Sequence, residues 1–157
     1  MWKLRGVGLI IKLTLLFISM ISFNGIANVN VNDCTGIHGD VGIAMSLSMK
    51  EDFNLDNSAF IDVNTRIKII SEEPVTFALA KTYGLQEKNL SGENSEDPTT
   101  VDEYAMRFMA NNAKNVIAEY TFENKNKLRN IFLTSAFVSD TDCIVRFNGY
   151  IIVKREF

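Results

Sequence analysis

Two cysteines, Cys34 and Cys143, are the feature that most restricts how this chain can fold. They lie near opposite ends of the sequence, so a bond between them would close almost the whole domain into one covalent loop. An even pair of cysteines in an exported chain forms a disulfide by default, and the chain-entropy model gives such a loop about 4–5 kcal/mol of stabilisation. We predict that this disulfide ties the N-terminal segment to a C-terminal strand; the alternative is two buried free thiols.

The N-terminal segment carries the charge and hydropathy pattern of an export signal. Lys3, Arg5 and Lys12 make it positive, and no acidic residue precedes Asp33. The apolar run that follows, residues 13–23, is shorter than the roughly 20 residues of a membrane-spanning helix. This layout is typical of a secretory signal peptide.

Small residues at Gly25 and Ala27 fit a cleavage site directly after Ala27. We therefore predict a signal peptide over residues 1–27 and a single exported domain over residues 28–157, which is periplasmic or secreted. The alternative is that the first segment is retained as an N-terminal anchor.

The domain that remains after cleavage is acidic. The signal segment contains three of the 16 basic residues and none of the 19 acidic ones, which leaves a net charge of −6. This balance argues against nucleic-acid binding, which needs a basic face, and against electrostatic docking on anionic lipid. We expect no nucleic-acid partner and no stable membrane insertion after cleavage, whereas a basic partner is permitted.

Hydrophobic periodicity gives a mixed picture in the first half of the domain. Residues 59–70 alternate apolar and polar side chains and predict a strand that ends at Ser71–Pro74. Residues 41–47 and 75–83 each fit either a strand or a buried helix. The polar stretches 51–58 and 86–100 are predicted to be loops, the second of them a mobile surface loop.

Thr100 and Glu103 have the spacing of a capping box, which predicts a helix start at Val101. Apolar residues continue at helical spacing, and we expect the helix to end between Lys114 and Ala118.

The last third of the chain has the pattern of an antiparallel sheet. Strands are predicted over residues 116–123 and 128–139. Residues 143–156 form either a hairpin with a type I′ turn at Asn148–Gly149 or one long strand with a bulge at Gly149. The predicted fold class is α+β: an antiparallel β-sheet with one main α-helix.

Candidate chemistry is sparse. His38 is the only histidine, and no second Cys/His cluster supplies the four ligands of a structural zinc site. Ser46, Ser48 and Asp40 lie near His38 in sequence, but no nucleophile-elbow pattern surrounds them. The adjacent carboxylate pairs each have a structural interpretation, in a strand end, a helix cap or a turn: Glu72–Glu73, Asp102–Glu103 and Asp140/Asp142. We predict no metal, no cofactor and no enzymatic activity.

The acidic side chains of the 86–100 stretch are the candidate partner-binding residues. Glu87, Glu93, Glu96 and Asp97 concentrate negative charge that suits a basic target. The alternative is a solvated loop without a binding role.

The C-terminal strands carry basic residues in an acidic domain, namely Arg146, Lys154 and Arg155. These side chains either contribute to recognition or act as gatekeepers that prevent edge-to-edge strand pairing.

Two segments, Asn32–His38 and Leu128–Thr134 with Cys143–Val145, resemble in pattern the cysteine neighbourhoods of the B subunits of bacterial toxins of the cholera-toxin type. The resemblance implies a five-stranded barrel that forms a pentamer and binds a cell-surface glycan. This chain differs in an additional strand and turn over residues 118–126, and the sugar-binding residues of the family have no counterpart in it.

Taken together, these patterns favour an exported, non-enzymatic binding protein that recognises another protein, as an inhibitor or immunity-type factor does. The alternatives are a glycan-binding toxin B-subunit-like protein or adhesin subunit, and a small periplasmic hydrolase.

Overall fold

The computed structural model describes residues 28–55, 58–91 and 98–157. Four strands form one antiparallel sheet in the order β1-β2-β3-β4. Four α-helices and two short 3₁₀ turns accompany the sheet. In chain order the elements are α1 (Val31–Thr35), α2 (Asp40–Phe53), a 3₁₀ turn (Asp62–Asn64), β1 (Arg66–Pro74), α3 (Phe77–Ser91), α4 (Val101–Met109), a 3₁₀ turn (Ala110–Asn112), β2 (Lys114–Glu123), β3 (Arg129–Val138) and β4 (Arg146–Lys154).

The predicted α+β class is therefore confirmed, although the sheet is accompanied by more helices than the one main helix that was expected. The predicted signal segment, residues 1–27, lies outside the described residues. Among the described helices, none is long and apolar enough to cross a membrane.

The main core lies between the inner face of the sheet and helices α1 and α2. Strand β2, and β3 up to Ala136, bury every second side chain, as a half-buried antiparallel sheet requires. Helix α2 contributes Val41, Met45 and Met49 at a spacing of four residues, so that all three lie on one face. Each such side chain contributes about 1.5–3 kcal/mol on burial. The buried sheet residues of this core are Val116, Ala118, Tyr120, Phe122, Phe132, Ala136 and Val138.

The predicted disulfide is confirmed. It joins Cys34 in α1 to Cys143 in the loop before β4, with a Cα–Cα distance of 5.0 Å and a sequence separation of 109. The hydroxyl of Tyr120 donates to the carbonyl oxygen of Thr35 at 2.5 Å, one residue after the cysteine. Burial raises the pKa of Tyr120, so this phenol remains a donor. Helix α1 is thus fixed to the loop before β4 by the disulfide and to the central strand β2 by a buried hydrogen bond.

Helix α2 resolves the ambiguity over residues 41–47 in favour of a helix, and it extends through Phe53 into the stretch that was expected to be a loop. The turn from α1 into α2 is unusually close: a Cβ on Gly42 would lie 2.1 Å from the carbonyl oxygen of Gly36. Only glycine permits this approach. Gly42, which lowers the helical propensity of residues 41–47, is therefore the residue that allows α2 to pack closely against the turn after α1.

The first strand was predicted to begin and to end too early. It begins at Arg66, because Asp62–Asn64 form a 3₁₀ turn in which Val63 is 90% exposed. It also continues through Ser71 to Pro74, past a bulge at Ile70. Proline is tolerated there because β1 is an edge strand and its missing donor costs no ladder hydrogen bond.

Helix α3 resolves the second ambiguous segment, residues 75–83, and extends to Ser91. The loop predicted from Gln86 is therefore wrong over residues 86–91, while residues 92–97 lie outside the described part of the chain. The predicted helix from Val101 is present with both capping-box hydrogen bonds, Thr100 N–H to Glu103 at 2.6 Å and Glu103 N–H to the Thr100 hydroxyl at 3.2 Å.

Helix α4 ends at Met109, earlier than predicted, because Asn111 and Asn112 adopt left-handed backbone conformations with φ of 53° and 61°. Asparagine tolerates this region better than most residues. β2 then begins at Lys114.

At the C-terminus the alternative of one long strand is correct, and the type I′ hairpin is wrong. Gly149 pairs with Ser135 while Phe147 pairs with Ala136, which leaves Asn148 as the extra residue of a bulge. Gly149 adopts a φ of 105°, a conformation that glycine reaches without steric cost. In the described residues the sheet is four-stranded with β1 and β4 at its edges, so the five-stranded barrel implied by the toxin-subunit resemblance is not formed.

Candidate functional site

Helices α3 and α4 cover only part of the outer face of the sheet. They pack on its end nearest Phe137 through a second, smaller core. Tyr83 and Phe108 meet the Phe137 ring edge-on at 5.3 Å and 6.0 Å between ring centroids. The buried members of this core are Val75, Ala80, Ala105, Phe108, Ala113 and Phe137.

The remainder of the outer face, here called the open half-face, includes Ile117, Glu119, Thr121, Ile131, Leu133 and Ile151, and Lys68 of the edge strand β1 lies opposite Glu119. Cross-strand pairing places Leu133 between Glu119 on β2 and Ile151 on β4. Ile151 is 68% exposed, and Ile117, Ile131 and Leu133 are half-buried. A contiguous apolar surface of this kind is typical of an interaction site.

A chain of polar contacts separates the open half-face from the part that α3 and α4 cover. It runs from Glu87 on α3 across three strands. Arg146 contacts Glu87 at 2.8 Å and donates to the amide oxygen of Asn148 at 3.0 Å. Asn148 donates to the Ser135 hydroxyl at 3.0 Å, and Ser135 donates to Asn115 at 2.8 Å. The chain fixes the rim of the half-face, because every member is oriented by its neighbour.

Arg146 is the centre of this arrangement. Its side chain is only 12% exposed, and its guanidinium lies 4.5 Å from the ring centroid of Tyr83. A gatekeeper needs an exposed charge, so that interpretation is wrong for Arg146. Of the other two basic residues, Lys154 pairs with Glu156 at 2.7 Å and Arg155 lies 4.4 Å over the ring of Phe53.

A groove of about 270 Å³ runs along the rim, between α3 and the open half-face. Its apolar wall is formed by Tyr83, Ile117, Leu133 and Ile151. Ser135 and Asn148 supply hydrogen-bonding groups at one side. Such a groove can accept an apolar side chain of a partner and orient it through the two polar residues.

Of the four acidic residues predicted to bind a partner, the structure describes only Glu87. Its carboxylate is held by Arg146, and its side chain is 33% exposed. Glu87 therefore has a role inside the domain, whereas Glu93, Glu96 and Asp97 lie outside the described residues. The acidic partner face over these three residues stays a prediction.

His38 lies in a groove of about 410 Å³ that Ser46, Lys50 and Asp62 also line. The imidazole is 82% exposed, and its 3.9 Å separation from Asp62 is longer than a hydrogen bond. Asp40 instead begins helix α2, and the Ser48 hydroxyl donates to the carbonyl oxygen of Ala44 at 3.0 Å. These contacts do not assemble a base with an activated nucleophile.

The adjacent carboxylate pairs have the structural roles that were expected. Glu72 binds Lys114 at 2.6 Å, and this hydrogen bond raises the pKa of Lys114. Asp102 binds Lys81 at 2.9 Å next to the capping Glu103. In the described part of the chain no three His, Cys, Asp or Glu side chains are grouped as metal ligands. The absence of a cofactor, a metal and an enzymatic activity stays a prediction.

Strand β4 is also joined to the inner layer. The Tyr150 hydroxyl donates to Asp52 on α2. Burial, followed by this hydrogen bond, raises the pKa of Tyr150 to about 12. The strand that borders the open half-face is therefore held from both sides, by Arg146 toward α3 and by Tyr150 toward α2.

Sequence reasoning did not identify the open half-face. One signal was available: residues 150–153 are apolar at every position, whereas a strand with one solvated face alternates. The outward position of this run, Ile151, is the most exposed residue of the surface.

Comparison of the chain with protein-family models, with curated proteins and with solved structures finds no match.

Proposed function

We propose that this chain is an exported, non-enzymatic binding protein that recognises another protein, as an inhibitor or immunity-type factor does, and that the open half-face is its contact surface. One observation carries the proposal: α3 and α4 leave half of the outer face uncovered, and Ile117, Leu133 and Ile151 are the side chains left at that surface. Recognition surfaces have an apolar centre and a polar rim, and this half-face has both.

The rigidity of the platform supports the proposal. The disulfide, the Tyr120–Thr35 hydrogen bond and the Arg146–Glu87 contact fix the sheet to helices on both of its faces. A surface that is already ordered loses little conformational entropy when a partner docks. Inhibitors of enzymes commonly bind in this preorganised manner.

The charge of the domain indicates the kind of partner. On the half-face itself Glu119 lies opposite Lys68 of β1, so the charge argument rests on the whole domain, whose net charge after the predicted cleavage is −6. An acidic domain accelerates encounter with a basic target and disfavours acidic ones. We therefore propose a basic protein of the periplasm or of the extracellular medium as the partner.

Capture with matched variants tests this function. The full chain is expressed with its own leader, and the exported wild-type, Leu133→Lys and Leu47→Lys proteins are immobilised. Leu47 serves as the control. It is 54% exposed on α2, which packs on the inner face of the sheet, whereas the open half-face is on the outer face. We expect one protein to be retained by the wild type and by the Leu47 variant and to be lost with Leu133→Lys. Retention that is equal on all three, or retention of glycans alone, would overturn the proposal.

A further inference from the structure

We propose that a second copy of this chain pairs with the edge of β4, so that two β4 strands run antiparallel around a twofold axis at Ile151 and the two sheets form one sheet of eight strands. This inference goes beyond the proposed function and does not depend on it. It rests on the difference between the two edges of the sheet and on the chemistry of the β4 edge.

The β1 edge has the features that prevent strand pairing. It carries Arg66, Lys68, Glu72 and Glu73, it is interrupted by a bulge at Ile70, and it ends in a proline. Charges, bulges and proline are the devices by which natural proteins protect an edge strand.

The β4 edge lacks charge in its central part. Between Arg146 and Lys154 no residue is ionised at neutral pH, and Ile151, Ile152 and Val153 are 68%, 44% and 54% exposed. Among the described residues no strand lies beyond β4. An exposed edge of β-branched residues is a template for another strand.

The two bulges of β4 define the length of the pairing segment. Asn148 and Val153 are the extra residues, and the four residues between them, Gly149–Ile152, keep a regular register with β3. In an antiparallel pair, directly opposite residues point to the same face of the sheet. Pairing centred on Ile151 meets this condition, because Tyr150 then faces Ile152 of the second copy and Ile151 faces its own equivalent.

Charges are compatible with this register. Lys154 falls opposite Asn148 of the second copy, and Arg146 falls in line with Glu156, so no like charges meet. The twofold axis is perpendicular to the sheet, which places both open half-faces on the same side. Among the described strands, the edges that remain are those of β1, which are protected, so we expect the assembly to close at two copies.

The expected affinity is modest. Pairing over four residues buries less than the roughly 1,200 Å² of a stable interface, so we expect a weak dimer with a dissociation constant on the order of 10–100 µM. Sedimentation equilibrium of the exported protein over about 1 µM to 1 mM should therefore show the mass rising from monomer to dimer and no further. A monomer throughout this range, or growth beyond two copies, would overturn the proposal.

Two variants with matched controls locate the contact. Ile152→Lys should raise the dissociation constant at least about tenfold, because a Lys–Tyr150 pair replaces an apolar one, whereas Leu47→Lys should leave it unchanged.

Ile151→Cys should form a disulfide-linked dimer on oxidation, because the two Cβ atoms at the axis lie about 4.5–5.5 Å apart. Ile70→Cys, on the protected β1 edge, should not form a disulfide-linked dimer. Dimerisation that survives Ile152→Lys, or equal cross-linking of both cysteine variants, would place the contact elsewhere and refute this interface.

Discussion

Arg146 contacts Glu87 at 2.8 Å and stacks 4.5 Å over Tyr83, so a single side chain joins strand β4 to helix α3. The guanidinium is largely removed from water, and only the carboxylate of Glu87 neutralises it by a direct ion pair among the described residues. The position of α3, and with it the rim of the open half-face, depends on this pair.

Glu87→Gln should therefore lower the free energy of unfolding by about 1–3 kcal/mol, because it leaves a partly buried positive charge without its counter-ion. Urea denaturation followed by circular dichroism measures the change. The matched control is Lys81→Gln, which removes the exposed Lys81–Asp102 pair and should cost less than about 0.5 kcal/mol. Equal effects of the two substitutions would show that burial of Arg146 is energetically unimportant.

The predicted acidic partner face can be tested while Glu87, which contacts Arg146, is kept. Replacing Glu93, Glu96 and Asp97 by serine while keeping Glu87 removes charge that suits a basic target. We expect partner affinity to fall, and to fall most at low ionic strength, because exposed charges are screened by salt. Surface plasmon resonance at two salt concentrations measures this. Unchanged affinity at low salt would eliminate the acidic face.

The disulfide should contribute a large share of the stability. Replacing both Cys34 and Cys143 by alanine should lower the free energy of unfolding by about 2–5 kcal/mol. The effect arises from the closed loop, whose ends are 109 residues apart. Reduction of the wild-type protein should reproduce the loss. A change below about 1 kcal/mol would mean that the N-terminal helix is held by its noncovalent contacts instead.

Two glycines should respond to alanine for different reasons. Gly42→Ala should cost about 2–4 kcal/mol, because the new Cβ would lie 2.1 Å from the Gly36 carbonyl oxygen and the two helices must separate. Gly149→Ala meets no atom within 4 Å and should cost only about 1–2 kcal/mol of backbone strain at a φ of 105°. The midpoint of thermal unfolding should therefore fall further for Gly42→Ala than for Gly149→Ala. The reverse order would contradict the close α1–α2 approach.

Tyr150 gives the protein a dependence on alkaline pH. Its folded-state pKa of about 12 exceeds the ordinary value of 10.0, so the neutral phenol favours the folded state. The resulting stability is fully present below pH 10 and is lost as the pH rises toward 12. Tyr150→Phe should therefore flatten the fall of the urea midpoint above pH 10. An unchanged slope would show that neither the burial of this phenol nor its contact with Asp52 persists in solution.

The parts of the fold that could be predicted are those with a local or strictly periodic cause. The Thr100–Glu103 capping box acts within four residues, and it marked the start of α4 correctly. Apolar and polar side chains alternate along β2 and β3 because one face of the sheet is buried. The predicted bounds of these two strands are therefore within two residues of the observed ones. The disulfide was predicted from the even cysteine pair together with the predicted export signal, and this did not require any knowledge of the topology.

The parts that could not be predicted depend on tertiary packing. Helix α2 has exposed apolar residues, Ile43 and Leu47, on the face opposite its core residues, which blurred its helical pattern. The alternation over residues 59–65 predicted a strand, although Val63 has no face to pack against and the chain turns there. The open half-face results from how far α3 and α4 extend over the sheet, and the apolar run at residues 150–153 marks only its β4 border and not that extent.

The measurement that tests the proposed recognition most directly is the dissociation constant of the captured and purified partner for three forms of this protein: wild type, Leu133→Lys and Leu47→Lys. A lysine at Leu133 places a charge in the centre of the open half-face, between Glu119 and Ile151. We expect the constant to rise by at least about a hundredfold for Leu133→Lys, as for a central contact residue, and by less than about threefold for Leu47→Lys. Equal constants for all three folded proteins would contradict recognition through this surface.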